Sequence, residues 1–416
     1  MWKLMFNKEN LINKLLSSTW SFSLFLVAIF ILNGCASNPK VISPSQIGAE
    51  QTATYFPLLK GKRIGVVVNQ TSRVKDMHLV DLLNKNGFDV KTIFAPEHGF
   101  RGDHSAGELV NSSIDAATGI NIVSIYGKYK KPTDELMSQL DIIIFDIQDV
   151  GVRFYTYISS MHYMMQAAAE NNVEFMVLDR PNPNLQYIDG PILEPEFRSF
   201  VGMHPIPLSH GMTVGELAKM IVGEAWLSIE SKKVNFDYKL KLTVIPVQDY
   251  QRQDTYVLPV APSPNLPNQQ AINLYPSLCL FEATPVSVGR GTDFPFQVLG
   301  HNTVIEHSKL GDFTFTPRVI KGVSKNPKLK GVLLTGQNLT QTDIKGFDLS
   351  LFFNWYQVFE QNKTEFFQRP DFMDKLAGTD KLRKAMLAGQ SLATIKQSWQ
   401  TDLTAFKQQR KPYLLY

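Results

Sequence analysis

The chain has 416 residues, of which 44% are hydrophobic, and its formal net charge at pH 7 is +4. This length suits two domains, each with its own core. The charge is too small to indicate nucleic-acid binding, which depends on neutralising many phosphates. The sequence therefore predicts a globular protein without a nucleic-acid partner.

The first 34 residues have the pattern of a bacterial lipoprotein signal peptide. Lysines precede the apolar run Ser21–Leu32, which is too short for a comfortable membrane span. The run ends in LNGC, which resembles the lipobox, in which the cysteine, here Cys35, is lipidated. An ordinary signal peptide that ends in cysteine is the alternative. Acylation of Cys35 would leave only Cys279, so no intrachain disulfide is expected.

Removal of this segment would leave a nearly neutral mature chain. The three lysines and one glutamate of the segment carry two of the four net positive charges, so the remainder has a net charge of +2. Ser37 stands where an aspartate would resemble an inner-membrane retention signal. The predicted location is therefore the cell envelope, with a lipid anchor in the outer membrane facing the periplasm. Residues 35–55 are polar and hold two prolines, which predicts a tether.

Residues 56–230 are predicted to form a Rossmann-like α/β domain with a doubly wound parallel sheet. Short apolar runs rich in Val, Ile and Phe alternate with helical patterns, as buried strands alternate with helices in such a sheet. The runs are Arg63–Gln70, Phe88–Pro96, Ile120–Gly127, Asp141–Asp149 and Val173–Pro181. The helical segment His210–Leu227, with Thr213 and Glu216 as a capping box, is predicted to be the last of this domain.

Polar residues follow all five predicted strands. Ligands of an open parallel sheet bind outside the carboxyl ends of its strands. The loop after the second strand, PEHGFRGDHSAGE, is crowded with titratable side chains, so the substrate site is predicted there. No G-x-G-x-x-G follows the first strand and no P-loop occurs, so neither a dinucleotide nor another cofactor is predicted.

Residues 231–416 are predicted to form a smaller C-terminal α/β domain that closes the cleft. Its segment Leu258–Gly300 is rich in Pro and Gly, is not predicted to be a regular helix, and is assigned to the wall of the active site. The residues from Asp380 onwards are predicted to form two amphipathic helices. The second of them carries the apolar stripe of Trp399, Leu403 and Phe406.

Two glutamates are the candidates for acid–base chemistry. Glu97 directly follows a buried strand, and partial burial would make it available as a general acid near neutral pH. Glu282 follows an apolar run in the second domain and is its candidate partner. Each could instead be structural, Glu97 by holding Arg101 or a backbone amide and Glu282 by forming an ion pair. Two carboxylates across a cleft are the working groups of glycoside hydrolysis.

Other chemistries fit the sequence less well. His98, Asp103 and His104 could bind a metal, but neither H-x-H nor H-E-x-x-H occurs, and no metal is predicted. A Ser-His-Asp site would lack the G-x-S-x-G turn. Arg153 and Arg290 could each clamp an anionic group through two hydrogen bonds, although surface ion pairing is the ordinary role of such residues.

Seven motifs resemble those of one bacterial family. They are PEHGFRGDHSAGE, FDIQDVGVRFYTYI, LDRPNP, HGMTVGEL, SPNLP, FEATPVSVGRGTDFPF and YLLY. In this order, from about Tyr55 to Tyr416, they resemble the exo-β-N-acetylmuramidases of glycoside hydrolase family 171. Ala283 stands in FEATPV where a glycine is expected in relatives, which is a mild departure.

The resemblance implies a Rossmann-like domain, a smaller α/β domain and an active cleft between them. It implies release of terminal N-acetylmuramic acid from the non-reducing end of peptidoglycan fragments, with Glu97 as the catalytic glutamate. Glu282 is the first candidate for a second catalytic group. The remaining residues in cleft-lining motifs are His98, Arg101, Asp103, Asp149, Arg153, Tyr155, His210, Asn265 and Arg290. Muramic acid carries a lactyl carboxylate, and arginine is the cation that best suits a planar carboxylate.

Two other classes of protein stay open at this point. One is a different hydrolase of cell-wall carbohydrate, such as an amidase or an esterase, and the other is a glycan-binding lipoprotein without activity. The expected partners are a peptidoglycan-derived glycan or muropeptide and, through Cys35, the membrane. The sequence leaves the oligomeric state open, and it leaves open whether the mechanism is retaining, inverting or assisted by the substrate acetamido group.

Overall fold

The structure, a computed structural model, describes residues 46–101, 113–228, 240–302 and 310–416. The strands are β1 (Ile64–Val68), β2 (Arg73–Val74), β3 (Met77–His78), β4 (Val90–Ala95), β5 (Ser113–Ile114), β6 (Asn121–Ser124), β7 (Ile142–Asp146), β8 (Glu174–Leu178), β9 (Asp189–Ile192), β10 (Pro207–Ser209), β11 (Leu242–Ile245), β12 (Val298–His301), β13 (Phe313–Phe315) and β14 (Leu334–Asn338). The helices are α1 (Thr52–Leu59), α2 (Leu79–Lys85), α3 (Asp134–Met137), α4 (Tyr157–Glu170), α5 (Val214–Gly223), α6 (Gln269–Leu278), α7 (Leu349–Gln361), α8 (Pro370–Ala377), α9 (Lys381–Leu387), α10 (Leu392–Gln397) and α11 (Gln400–Gln409).

A seven-stranded sheet forms the framework of the first half, in the order β11-β8-β7-β1-β4-β6-β5. Six strands are parallel, and the short β5 pairs antiparallel with β6. Numbered along the chain, the six parallel strands follow the order 3-2-1-4-5-6, which is that of the Rossmann fold. Every residue of β1 and β7 is buried, because helices cover both faces of the sheet. The predicted α/β fold class is therefore confirmed.

The sheet extends beyond the segment assigned to it from the sequence. Strand β11 pairs in parallel with β8, with Leu242 opposite Phe175 and Ile245 opposite Leu178. Three of its four residues are only partly buried because it is the edge strand. The capping box of α5 is formed as predicted, with the Thr213 hydroxyl accepting from the Glu216 amide at 3.2 Å and the Glu216 carboxylate accepting from the Thr213 amide at 3.0 Å.

The second half adds a three-stranded antiparallel sheet, in the order β12-β14-β13, and helices α6 to α11. It forms a smaller unit beside the large sheet. One hydrophobic cluster nevertheless includes buried residues from Val67 to Phe406, so the core is continuous between the halves.

Helix α6 is a correction to the sequence analysis, which predicted no regular helix within Leu258–Gly300. The Asn268 side chain caps the helix by accepting from the Ala271 amide at 2.9 Å. Pro276 lies in the last turn and cannot donate to the Ile272 carbonyl. That carbonyl accepts instead from the Asn184 side chain at 3.4 Å. A distant asparagine thus compensates for the proline.

The C-terminal region contains three short helices, α9, α10 and α11, where two were predicted. Gly389, with φ of +69°, lies just after α9 and reverses the chain there. The predicted stripe of Trp399, Leu403 and Phe406 is buried. Because α9 and α10 are each about two turns long, their stability depends on packing more than on helix propensity.

The predicted signal peptide, Cys35 and most of the tether lie outside the described residues. Within the ranges that the structure does describe, no helix is long and apolar enough to cross a membrane.

Candidate active site

Glu97 stands at the carboxyl end of the sheet, two residues after β4. The turn that follows it is unusual, because His98 and Gly99 have φ of +71° and +80°. The left-handed conformation is uncommon for residues other than glycine. The Thr156 hydroxyl donates to Oε2 of Glu97 at 2.8 Å, and the Tyr126 hydroxyl donates to Oε1 at 3.0 Å. Both carboxyl oxygens are therefore fixed by hydroxyl groups from other segments.

A cavity of about 70 Å³ lies beside this carboxyl group. Its lining comes from three segments: Glu97 and His98 from the first; Phe154, Tyr155, Thr156 and Tyr157 from the second; and Ser263, Leu266, Tyr275, Arg290 and Phe296 from the third. The third segment belongs to Leu258–Gly300, which the sequence analysis assigned to the active-site wall. Both halves of the chain thus contribute to one site.

Arg290 is the cation of this cavity. Its Nε donates to Oε1 of Glu282 at 3.1 Å, and its Cζ lies 4.9 Å from the centre of the Phe296 ring. These two contacts hold the guanidinium in place. Among the residues that the structure describes, its Nη groups form no hydrogen bond, so they can bind a carboxylate that enters the cavity.

Glu282 pairs with Arg290 and does not line the cavity that contains Glu97. Burial acts to raise the pKa of the Glu282 carboxyl, but the charges of Arg290, Lys328 and Arg369 outweigh it, and the pKa is lowered. The structure therefore favours the ion-pair alternative for Glu282. Its role as a second catalytic group stays a prediction.

Lys328 fixes the backbone that carries Glu282. Its ammonium group donates to the carbonyls of Phe281 and Val286, each at 3.0 Å, and to that of Thr284. Burial lowers the pKa of Lys328 to about 8, although the charge of Glu282 opposes the shift.

Arg153, which was predicted to contact substrate, lies in a buried position outside the cavity lining. It is fully buried, and its two terminal nitrogens donate to four backbone carbonyls at 2.6–3.2 Å. Burial lowers the pKa of Arg153 to about 9. It is not among the cavity-lining residues, and its terminal N–H groups are already engaged. Arg290 is therefore the better candidate for binding an anionic group.

Asp149 and His210 form a buried pair that does not line the cavity either. The distance between Oδ2 of Asp149 and Nε2 of His210 is 3.8 Å, and the same oxygen accepts from the Gly151 amide at 2.7 Å. Burial raises the pKa of Asp149 to about 7, although backbone amides oppose the shift. Burial, with the charges of Arg410 and Arg153, lowers the pKa of His210 to about 3.

The other predicted site residues divide into two groups. Tyr155 and His98 line the cavity, and the Tyr155 hydroxyl donates to the Pro262 carbonyl at 2.8 Å. Arg101 is exposed, pairs with Asp115 at 3.1 Å and lies outside the lining.

Asn265 and Asp103 are the two remaining predicted residues. Asn265 is buried, and its side-chain nitrogen donates to the Val323 carbonyl at 2.9 Å. Asp103 lies outside the residues that the structure describes.

The sequence analysis missed both hydroxyl partners of Glu97. Tyr126 lies two residues after β6, so the strand-end rule that selected Glu97 could have selected it. Thr156 directly follows Tyr155 in a motif that was otherwise used. Hydroxyl residues carry no charge signal, which is why neither stood out.

Of the three residues considered for a metal, the structure describes only His98, because Asp103 and His104 lie outside the described ranges. In the part of the chain that the structure describes, no group of three or more His, Cys, Asp or Glu side chains could hold a metal ion.

A parallel sheet with a carboxyl group at its carboxyl end, opposite a wall from the second half, is the arrangement of an α/β enzyme whose substrate binds at the end of the sheet. Residues 64–270 match the N-terminal model, and residues 273–416 the C-terminal model, of exo-β-N-acetylmuramidase NamZ. The chain therefore belongs to the NamZ family of exo-β-N-acetylmuramidases, as its motifs indicated.

Curated and solved proteins agree with this assignment. The chain is 40% identical over 405 residues to the peptidoglycan β-N-acetylmuramidase NamZ of Bacillus subtilis (strain 168). This alignment covers 92% of this chain and 93% of that protein. It is also similar to two crystal structures of DUF1343 family proteins from Bacteroides fragilis NCTC 9343. One is 47% identical with a TM-score of 0.79, the other 27% identical with a TM-score of 0.77. Each alignment covers 89% of this chain and 98% of the other.

Proposed function

We propose that this protein is an exo-acting glycoside hydrolase that releases terminal β-linked N-acetylmuramic acid from the non-reducing end of peptidoglycan fragments. Family membership over residues 64–416 and the similarity to a muramidase support this activity. The structural observation that carries it is the Glu97 carboxyl group, held by two hydroxyls at the sheet end in a cavity that both halves line.

In the proposed mechanism Glu97 is the general acid. It gives its proton to the glycosidic oxygen as the bond from that oxygen to the anomeric carbon breaks. The hydroxyls of Tyr126 and Thr156 can donate to the carboxylate and can also donate to the lone pairs of the protonated acid, which leaves the acid proton for the glycosidic oxygen. They therefore hold Glu97 in one position in both protonation states. The group that assists attack on the anomeric carbon stays open between a second carboxylate and the substrate acetamido oxygen.

The lactyl carboxylate of the muramic acid is expected to bind the guanidinium of Arg290. The cavity volume of about 70 Å³ has room for about two water molecules, so it suits this carboxylate and not the whole sugar ring.

The test compares the parent with Glu97→Gln on two substrates. One is a disaccharide with muramic acid at its non-reducing end, and the other is a nitrophenyl glycoside of muramic acid. We expect the parent to release N-acetylmuramic acid from both. Glu97→Gln should slow the disaccharide by about 10²–10⁴-fold and the nitrophenyl glycoside far less, because nitrophenolate leaves without protonation.

Equal slowing of both substrates, or of neither, would show that Glu97 is not the acid. Glu365→Gln serves as a control, since Glu365 is exposed and lies outside the cavity lining. If the parent cleaves neither glycoside, a different hydrolase activity or glycan binding without turnover becomes the better assignment.

The proposed place of action is the cell envelope, with the chain held to the outer membrane through lipidated Cys35. The LNGC sequence supports the anchor. The first described residue, Gln46, accepts through its carbonyl from the Gln248 amide at 2.9 Å, just beyond the carboxyl end of β11. The tether would therefore join the fold at the end of the sheet that carries Glu97.

A further inference from the structure

A second cavity, of about 570 Å³, lies beyond the carboxyl end of β6. We call it the lysine cavity, and its lining is Lys128, Tyr129, Lys130, Lys131, Pro132, Thr133, Asp134, Tyr163, Gln166 and Glu170. It is large enough for a ligand of several groups. None of its lining residues belongs to the smaller cavity beside Glu97.

Three aromatic rings connect the two cavities. The ring of Tyr126, whose hydroxyl binds Glu97, has its centre 6.0 Å from that of Phe200. Phe200 in turn stacks with Tyr163 at 6.3 Å, with an angle of 22° between the rings. Tyr163 lines the lysine cavity. All three rings are partly exposed, so they offer apolar faces against which a sugar ring can pack.

Two of the lysines have their charges directed at rings. Lys130 lies 4.8 Å from the centre of the Phe200 ring, and Lys128 lies 5.2 Å from that of Tyr129. Within the described ranges neither lysine pairs with a carboxylate. Lys131, by contrast, is paired with Glu170 at 2.6 Å. Lys128 and Lys130 can therefore bind a carboxylate of a ligand.

The acidic side chains of the lysine cavity do not neutralise Lys128 and Lys130. Glu170 is held by Lys131, and Asp134 accepts from the Asn171 side chain at 2.9 Å. Three lysines against two acidic side chains give the lining a net positive charge.

We propose that the three rings and the lysine cavity bind the leaving-group side of the glycan. The first sugar after the scissile bond packs on Tyr126 and Phe200, and a carboxylate carried by the second sugar binds Lys128 and Lys130. This inference rests on the proposed function, because it takes the glycosidic bond to lie at Glu97. In an alternating peptidoglycan chain the first of these sugars is neutral N-acetylglucosamine and the second is another N-acetylmuramic acid. Its carboxylate is either the free lactyl group or an acidic group of an attached peptide.

The test uses a double variant, Lys128→Met with Lys130→Met, and two glycans with muramic acid at the non-reducing end. A disaccharide ends before the lysine cavity, whereas a tetrasaccharide brings its third sugar to it. We expect kcat/KM of the variant to fall about tenfold on the tetrasaccharide and less than twofold on the disaccharide. The loss should shrink at high salt, which screens the charges.

The matched control is Lys60→Met with Lys85→Met, which removes the same charge from exposed positions at the other end of the sheet. It should leave both glycans unaffected. A tetrasaccharide with its internal lactyl group blocked as an amide, and one with an acidic peptide there, distinguish the two sources of the carboxylate. If the two lysines bind the lactyl group, blocking that group abolishes the loss of kcat/KM in the double variant. If they bind the peptide, the acidic peptide increases that loss.

Binding measured by calorimetry in the Glu97→Gln background separates this inference from the proposed function. Weaker tetrasaccharide binding upon loss of the two lysines, with disaccharide binding unchanged, supports the inference even if turnover fails for another reason. The inference is overturned if the tetrasaccharide binds equally well with and without the two lysines. It is also overturned if their removal weakens the binding of both glycans equally. Absence of hydrolysis by the parent overturns the proposed function alone.

Discussion

Arg290 and Glu282 show how a charged side chain is directed into the cavity. Glu282 takes the Nε side of the guanidinium, and Phe296 covers one face of it. Lys328 holds the backbone under Glu282 through three carbonyls. A guanidinium fixed on one side loses little further entropy when its remaining N–H groups bind a carboxylate.

Arg290→Met should therefore impair hydrolysis of muramic acid glycosides. Loss of a charge-assisted contact with two hydrogen bonds costs about 2–4 kcal/mol, or roughly thirty- to a thousand-fold in kcat/KM. The loss should be much smaller for the same glycoside lacking the lactyl group. Equal losses on both substrates would contradict the assignment.

Glu282→Gln is the companion measurement to Arg290→Met. If Glu282 acts only by holding Arg290, its loss adds little to that of Arg290→Met in the double variant. If Glu282 is the second catalytic group, Glu282→Gln abolishes turnover of both glycosides.

The buried pair of Asp149 and His210 predicts a pH effect on stability. The pKa of Asp149 is raised to about 7 in the folded protein, so the folded state binds more protons than the unfolded state between about pH 4 and 7. This contribution to stability is complete below the unfolded pKa and is lost as pH rises through 7. The lowered pKa of His210 acts in the opposite sense, since it is neutral in the fold and protonated when unfolded below about pH 6.5.

Asp149→Asn should remove the first of these effects. Its free energy of unfolding, measured by urea titration, should increase relative to the parent between pH 4 and pH 8. The expected gain is on the order of 4 kcal/mol, because the folded pKa of about 7 lies about three pH units above the unfolded value. His210→Gln is the matched control, and it should shift the profile in the other direction. A constant difference between Asp149→Asn and the parent across this range would contradict the assignment.

At the scale of elements, Arg153 joins parts of the chain that are distant in sequence. It donates to Pro191 in β9, to Ile206 just before β10, and to Leu376 and Ala377 at the end of α8. The last carbonyls of a helix have no partner within the helix, and a cation there also interacts favourably with the helix dipole. Arg153 therefore connects the first half of the chain to a helix of the second half.

Arg153→Met should destabilise the protein by about 3 kcal/mol, because four buried carbonyls lose their donors. Arg318→Met is the comparison, since that side chain and its partner Asp293 are both exposed, and it should cost less than about 1 kcal/mol. Thermal unfolding followed by circular dichroism measures both. Similar melting temperatures for the two variants would contradict the structural role of Arg153.

At the scale of the whole molecule, one continuous core holds the two sides of the active site together. The tether of the protein is predicted to begin at Cys35 and to lead to Gln46, the first residue that the structure describes. The ten residues between Cys35 and Gln46 would allow the enzyme to reach only the glycan near its anchor.

Cys35→Ala is expected to release the protein from the membrane fraction. Acylation supplies the apolar chains that hold such a protein in the bilayer, and alanine cannot accept them. Fractionation of cells that express the parent or the variant measures the distribution. Cys279→Ala is the control, because that thiol is buried. Equal membrane association of the parent and Cys35→Ala would show that the anchor is wrong.

The sequence by itself determined the framework and one side of the site. Strands such as β1 and β7 are buried on both faces, so they appear in the sequence as continuous apolar runs. Such a run can be identified without knowing which strands lie beside it. Glu97 could be selected because it follows such a strand, and the carboxyl ends of parallel strands meet at the same end of a sheet. Helix α6 escaped the analysis because the group that compensates for Pro276 is Asn184, far away in the chain.

Only the tertiary structure showed which arginine lines the cavity beside Glu97 and which one is engaged by backbone carbonyls. Arg153 and Arg290 both lie near glycines in polar loops, and local pattern does not distinguish them. The partners of Arg153 are 38 to 224 residues away along the chain, whereas Glu282 is eight residues from Arg290. Burial and hydrogen bonding depend on which distant segments meet, and a single sequence does not contain that information in any local window. For the same reason the sequence did not indicate Tyr126 and Thr156, because they become partners of Glu97 only when three segments of the chain meet.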